Sequence, residues 1–281
     1  LYPEARESDK PYRELLRLVV ERQAKLIAHW MQLGFIHGVM NTDNMNISGE
    51  TIDYGPCAFM DAYHPQKTFS SIDHQGRYSF SNQAPIGHWN LTRFAETLLP
   101  LLDADQEAAV AEAEEVLSDY SEIFKHALQE RFLAKIGVSN GTDTDWPLVE
   151  SLLSNMAQGQ ADFTLVFRHL TTVLRTEDDG GVTRQFNDPA PMKDWLGRWR
   201  GRLSDVDPEV AERLMRGANP VFIPRNHRVE EAIRAGYAGD FEPFHRLHRV
   251  LQRPFDEQPG FEGYENAPNA EEEVTATFCG T

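Results

Sequence analysis

The chain has 281 residues, 41% of them hydrophobic and 25% charged, enough to bury a core in one large domain or two small ones. Forty-four acidic against 27 basic residues give a net charge of −17, which argues against a nucleic-acid backbone as partner, since that needs clustered Lys and Arg. No apolar run reaches the ~18 residues of a membrane span, so no membrane partner is expected. The opening LYPEARESDKPYRE reads as neither a signal nor a transit peptide.

In chain order, Pro11 to Leu33 predicts a helix, with apolar residues at 3.6-residue spacing. Asp9 is the expected cap, Pro11 suits the first turn and Gly34 is the stop. Next comes GFIHGVMNTDNMNISGETIDYGPCAFMD, Gly34 to Asp61, the stretch richest in chemistry. Met45-Asn46-Ile47 and Thr51-Ile52-Asp53-Tyr54 flank Ser48-Gly49-Glu50, a β-hairpin signal. Such a hairpin brings Asn44 and Asp53 together at its open end. An amide carbonyl beside a carboxylate is a hard-oxygen site that suits Mg²⁺ held with a nucleotide phosphate. His37 is read as structural, its ring bonding backbone near Asp53, in preference to a catalytic or metal group.

Gly55 to Gln83 shows little periodicity and reads as an exposed segment that Arg77 and Tyr78 hold in place. His64, His74, Asp61 and Asp73 fall here, but their spacing fits no zinc signature. Pro85 to Leu102 predicts a core helix. Asp105 to Ile136 predicts two helices broken around Ser118 to Ser121, the first with a solvated acidic face. Helices are expected over Trp146 to Met156, Gln160 to Leu174, Met192 to Leu203, Pro208 to Arg216 (capped by Asp207), Arg228 to Tyr237 and Phe241 to Leu251. Thr176 to Pro191 reads as a long polar loop. Trp195 and Trp199 at i, i+4 are read as core rather than as a ligand platform. His245 and His248 share a face but lack a third ligand nearby. Arg253 to Thr281 reads as a tail lying on the domain or partly disordered. Three N-x-S/T matches, at Asn46, Asn90 and Asn140, are taken as chance.

Asp53-Tyr54-Gly55 matches the metal-binding D-F-G element of protein kinases, and His37 to Asn44 occupies the place of H-R-D-L-x-x-x-N. Val39 stands where a kinase has its catalytic Asp, and Val cannot accept a proton. Asp43, beside Asn44, supplies a displaced carboxylate. HGVMNTDNM followed by IDYGPCAFMD closely resembles the selenoprotein O family, protein adenylyltransferases of pseudokinase fold. SIDHQGRYSFSNQAPIGHWNLTRFAETLLPLL (Ser71 to Leu102), NPVFIPRN (Asn219 to Asn226) and the terminal FCGT resemble it as well.

That resemblance implies a mainly α fold with a small β-hairpin: a protein-kinase-like C-lobe with its catalytic loop and metal-binding hairpin over residues 1–104, a helical extension over 105–252 and a tail over 253–281. It implies transfer of AMP from ATP to Ser, Thr or Tyr hydroxyls of proteins, with Asp43 as base and with Asn44 and Asp53 holding Mg²⁺ (or Mn²⁺) and the nucleotide. A monomer is expected, cytoplasmic if bacterial and mitochondrial if eukaryotic. Only 36 residues precede His37, and neither G-x-G-x-x-G nor G-x-x-x-x-G-K-[ST] occurs. The chain therefore reads as a C-terminal part, inactive alone and without the N-lobe. A phosphotransferase using Asp43, and a catalytically silent partner-binding domain, are the alternative readings. Two cysteines, Cys57 and Cys279, make no disulfide framework. The family often carries a redox-active residue near its terminus, which implies a regulatory Cys57–Cys279 disulfide. The family's partner cysteine falls near Lys67 to Ser71, where this chain has none, so a buried thiol plus a separate tail thiol stands as the other reading.

Overall fold

The computed structural model describes residues 1–278. Helices dominate, and they surround one small antiparallel sheet. A short α1 (Pro3–Arg6) leads to the 23-residue α2 (Pro11–Leu33). Pro11 occupies its first turn, but Lys10 rather than Asp9 sits at the cap, and no side chain caps it. Gly34 ends α2 at φ +72, where an added Cβ would lie 2.8 Å from the Phe163 ring. Both the backbone sign and the close approach require glycine there.

From Gly34 the chain enters β1 (Phe35–Ile36), which pairs with β2 (Ala58–Phe59) in the register Phe35 to Phe59 and Ile36 to Ala58. The intervening residues form the loop that carries the candidate chemistry. The expected Met45–Ile47/Thr51–Tyr54 ribbon shrinks to a single bridge, Met45 to Thr51. Its turn is in place, with Gly49 at φ +72 and its N–H on the Asn46 carbonyl at 3.0 Å. The regular pairing belongs instead to Phe35–Ile36 and Ala58–Phe59.

The segment after β2 is not exposed throughout, since Tyr63, Phe69 and Phe80 are buried in the core; after it come α3 (Gln83–Leu102), α4 (Gln106–Ser118) and α5 (Tyr120–Lys135), the last two separated at Asp119 as expected. Then follow α6 (Trp146–Gly159), α7 (Phe163–Thr176), the one-turn α8 (Gly180–Thr183) inside the expected polar loop, and α9 (Ala190–Leu203). The series closes with α10 (Pro208–Ala218), α11 (Asn226–Tyr237) and α12 (Glu242–Leu251). Asp105, Asp162 and Asp207 accept backbone N–H bonds at the starts of α4, α7 and α10, satisfying donors the helices leave open.

The largest core joins Ile36 and Met60 to Phe132, Phe163, Phe167, Trp195 and Trp199. Both tryptophans are buried, and their indole N–H groups reach the carbonyls of Leu148 and Ile136, each at 2.8 Å. Their role is packing. A second cluster seats α2 against α3, α4 and α5 through Leu16, Val19, Leu91, Val116 and Tyr120. A third, Ile27, Trp30, Phe35, Met40 and Ile86, lies beneath the loop after β1. The third cluster supports the loop directly, with Met40 in it and Met45 and Cys57 packed against it. Among the described residues no helix is long and apolar enough to cross a membrane.

Candidate active site

The loop leaving β1 turns at Gly38, φ +85, where a Cβ would meet the Pro56 carbonyl oxygen at 2.8 Å. His37 just before it is fully buried. Its Nε2 lies 2.9 Å from the Ile52 carbonyl, one residue before Asp53, as the structural reading expects. Burial holds this imidazole below its usual pKa, against the opposing pull of the Ile52 carbonyl and of Asp53. A neutral ring donating Nε2–H to Ile52 fits that environment.

Thr42–Asn44 form a turn of 3₁₀ helix, with Asp43 exposed on it. The Asn44 amide donates to the Val39 carbonyl at 2.9 Å, which fixes the side chain's orientation and leaves its carbonyl oxygen without a protein partner. The Met45–Thr51 bridge places Asn44 and Asp53 just outside it on the same open side. Asp53 is exposed, has φ +53, and makes no side-chain hydrogen bond or ion pair among the described residues. A non-glycine residue in that backbone region is strained, and such strain collects at functional sites.

Sequence reasoning missed the groups that hold this loop. The fully buried Gln83 bridges both sides of β1's end: its Nε2 donates to the Phe35 carbonyl and its Oε1 accepts the His37 N–H, each at 3.0 Å. One helical repeat further along α3, Asn90 donates to the Met40 carbonyl at 2.9 Å. Their signal was present: two amides at i, i+7 on an otherwise apolar helix face. From α2, Trp30 donates to Thr51 Oγ1 at 2.8 Å and Gln23 to the Asn46 carbonyl. Tyr78 does hold its segment, donating to Asn41 Oδ1 at 2.6 Å.

NPVFIPRN earns its place structurally. Asn219 donates to the Lys135 carbonyl at 2.8 Å, Arg225 binds Asp61 and Asp162, and Asn226 donates to the Phe59 carbonyl at 3.2 Å. The tail also docks near the site. Thr277 exchanges backbone bonds with Phe69 and Ser71 at 2.7 and 3.0 Å, and its hydroxyl reaches the Pro56 carbonyl. Cys57 is partly buried and its thiol is pushed up to about 11. Cys279 lies outside the described residues, as does any pairing it makes.

Among the described residues no group of three or more His, Cys, Asp or Glu side chains could hold a metal ion alone. His64, His74, Asp61 and Asp73 therefore form no such set. Asn44 and Asp53 still fit a nucleotide-borne cation. Mg²⁺ takes one or two protein oxygens and completes its shell with phosphates and water, and both side chains offer uncommitted oxygens.

The sequence of residues 1–252 matches the family model described as protein adenylyltransferase SelO. The chain belongs to this family. It is 52% identical over 285 residues to the protein nucleotidyltransferase YdiU of Rhizobium etli, 50% over 283 residues to that of a Bradyrhizobium species, and 52% over 284 residues to that of Rhodopseudomonas palustris. All of this chain is covered in each comparison, against 57%, 58% and 58% of those relatives. The SelO-family chain thus spans under two thirds of their length. Membership makes it part of a nucleotidyltransferase family.

Proposed function

We propose that the protein carrying this chain is an ATP-dependent protein adenylyltransferase, and that residues 1–104 are the kinase-like C-lobe holding its catalytic loop. The observation that carries this reading is the trio on the loop between β1 and β2. Asp43 stands exposed beside Asn44, and Asp53 follows across the Gly49 turn, each with side-chain oxygens that no group among the described residues occupies. Val39 lies in the usual base position, which leaves Asp43 as the carboxylate able to accept a hydroxyl proton.

Asn44 and Asp53 are the residues that would hold Mg²⁺ or Mn²⁺ with the ATP phosphates. Bound there, the cation neutralises phosphate charge and so lowers the barrier to attack. Asp43 orients a Ser, Thr or Tyr hydroxyl of the protein substrate and takes its proton as oxygen bonds to the α-phosphorus. Pyrophosphate leaves with the electron pair of the broken P–O bond. Buried His37 keeps the Ile52 carbonyl, and so the Asp53 backbone, in register.

The test uses the full-length protein with ATP labelled at the α- or the γ-phosphate. Transfer of α-label alone to protein is expected, lost in Asp43→Ala. Metal-dependent ATP binding by calorimetry should vanish in Asp53→Ala and survive in Asp43→Ala. Transfer of γ-label would make the enzyme a phosphotransferase. Unchanged ATP binding in Asp53→Ala would sink the assigned metal site.

A further inference from the structure

The segment between β2 and α3 presents a cation beside the catalytic turn that the reaction above leaves unused. Arg77 is exposed and makes no ion pair among the described residues. The nearest acidic side chain in sequence, Asp73, is committed elsewhere, accepting the backbone N–H groups of Arg77 and Tyr78, each at 2.8 Å. The guanidinium itself lies over two aromatic rings, 5.0 Å from the centroid of Trp89 and 5.6 Å from that of Tyr78. Arg93 covers the same indole at 5.4 Å but is paired with Glu96 at 2.7 Å. Trp89 remains 41% exposed between them. Stacking fixes the plane of a guanidinium while leaving its N–H edge open, the arrangement that favours bidentate carboxylate binding.

The position is as telling as the chemistry. Tyr78, the next residue, bonds Asn41, which leads directly into the turn bearing Asp43. Asn44, assigned above to the nucleotide-borne metal, is held from another direction through Val39, and the backbone before Asp53 through His37 and Ile52. A protein substrate that reaches Asp43 past Tyr78 would meet Arg77. In a chain of net charge −17, one unpaired arginine there is a local attraction against a repelling background.

We propose that Arg77, held flat by Trp89 and Tyr78, is a specificity residue that receives an acidic side chain flanking the hydroxyl modified by this enzyme. The inference rests on the protein-adenylyltransferase reading and names the class of protein sequence that reading requires.

The experiment compares serine peptides flanked by Asp with the same peptides flanked by Lys, using full-length protein and α-labelled ATP. Anisotropy of fluorescein-labelled copies gives binding without turnover. The Asp peptides should be labelled and bound at least about fivefold better, with the difference shrinking as salt rises. Arg77→Glu should reverse the order, and Arg77→Lys should keep its direction but weaken it, since an ammonium keeps the charge and loses the bidentate edge. Melting temperatures of both variants should match the parent, because Arg77 is exposed. Equal binding of both peptide sets overturns the proposal, as does an Arg77→Glu variant that raises KM for ATP while the peptide order stays. The latter would make Arg77 a phosphate ligand. If no peptide takes up α-label yet the Asp peptides still bind through Arg77, the adenylyltransferase reading fails and the acidic docking site stands.

Discussion

Arg225 Nη1 lies 2.6 Å from Asp61 Oδ1, joining positions 164 residues apart and tying the stretch after α10 to the strand that leaves the active-site loop. The same guanidinium grips Asp162 through both nitrogens, and Asp162 caps α7 by accepting the Leu165 N–H at 2.8 Å. Arg225 is 1% exposed, so its charge persists only because both carboxylates and the Glu265 carbonyl surround it.

Removing the arginine strands two carboxylates in a desolvated place. Arg225→Met should cost about 3–5 kcal/mol, the usual loss when one partner of a buried pair is deleted. Burial already raises the Asp61 pKa against the pull of Arg225, so the variant should recover part of its loss in mild acid, where Asp61 can take a proton. Chemical denaturation at two pH values checks both points. A loss below about 1 kcal/mol would mean that solvent reaches the site.

Lys135 offers a cleaner titration. Its ammonium is fully buried against the rings of Phe167 and Phe163, at 4.2 and 5.1 Å, and desolvation pulls its pKa from 10.5 to about 7. No carboxylate faces it; Asn219 meets only its backbone carbonyl. Between about pH 7 and 10 the unfolded chain binds a proton that the folded chain releases, so this group makes stability rise with pH across that window. Below pH 7 both states are protonated and the contribution is flat. Other groups titrate in the opposite sense, Cys57 among them, so the readout is a difference. The stability of wild type minus that of Lys135→Met should climb from pH 7 to 9, with a slope of up to about 1.4 kcal/mol per unit. A flat difference would place the ammonium in contact with water.

Much of the helical frame was legible because its signals are local. Gly34 and Asp207 sit at helix ends, and a 3.6-residue apolar period runs through α2, α3 and α7, although α7 starts after Asp162 rather than at the expected Gln160. The sheet was not legible. Strands of two residues have no periodicity, and Phe35–Phe59 pairing depends on packing between Trp30 and the loop. The Thr51–Tyr54 run looked like a strand by composition, but Asp53 turns to positive φ and ends the ladder after one bridge. Asp43, Asn44 and Asp53 are proposed from the spacing of His37, Asn44 and the D-Y-G element. Gln83 and Asn90 stand out as two amides on an apolar helix face, but the backbone groups they bond, like the distant carboxylates that Arg225 binds, are set by tertiary packing.

Cys57 should behave as a sluggish thiol. Its pKa is pushed up to about 11 by burial, with only its own backbone N–H favouring the thiolate. In reduced protein its alkylation by iodoacetamide should be far slower than that of an unfolded control at pH 8, and should still be accelerating at pH 10. Mass spectrometry of the peptide containing Cys57 reads this directly. Rapid labelling at neutral pH would show that the loop opens around it.

Gln83 is the point where α3 governs the loop. Its carboxamide pairs the Phe35 carbonyl and the His37 N–H in a fully buried position, and His37 passes that registration to Ile52 and Asp53. Gln83→Leu keeps the volume and leaves both backbone groups unpaired, at about 1–3 kcal/mol each. Gln83→Glu keeps the acceptor for His37 but puts an oxygen against the Phe35 carbonyl, so it should be no better folded. If Gln83 merely stabilises the fold, full-length Gln83→Leu at a temperature well below its melting point should retain its kcat. If it sets the Asp53 backbone, kcat for α-label transfer should fall at least about tenfold under those conditions, a loss of about 1.4 kcal/mol in the transition state. KM for ATP should then rise in step with weakened metal dependence, because the metal contact proposed for Asp53 would depend on the backbone that His37 holds.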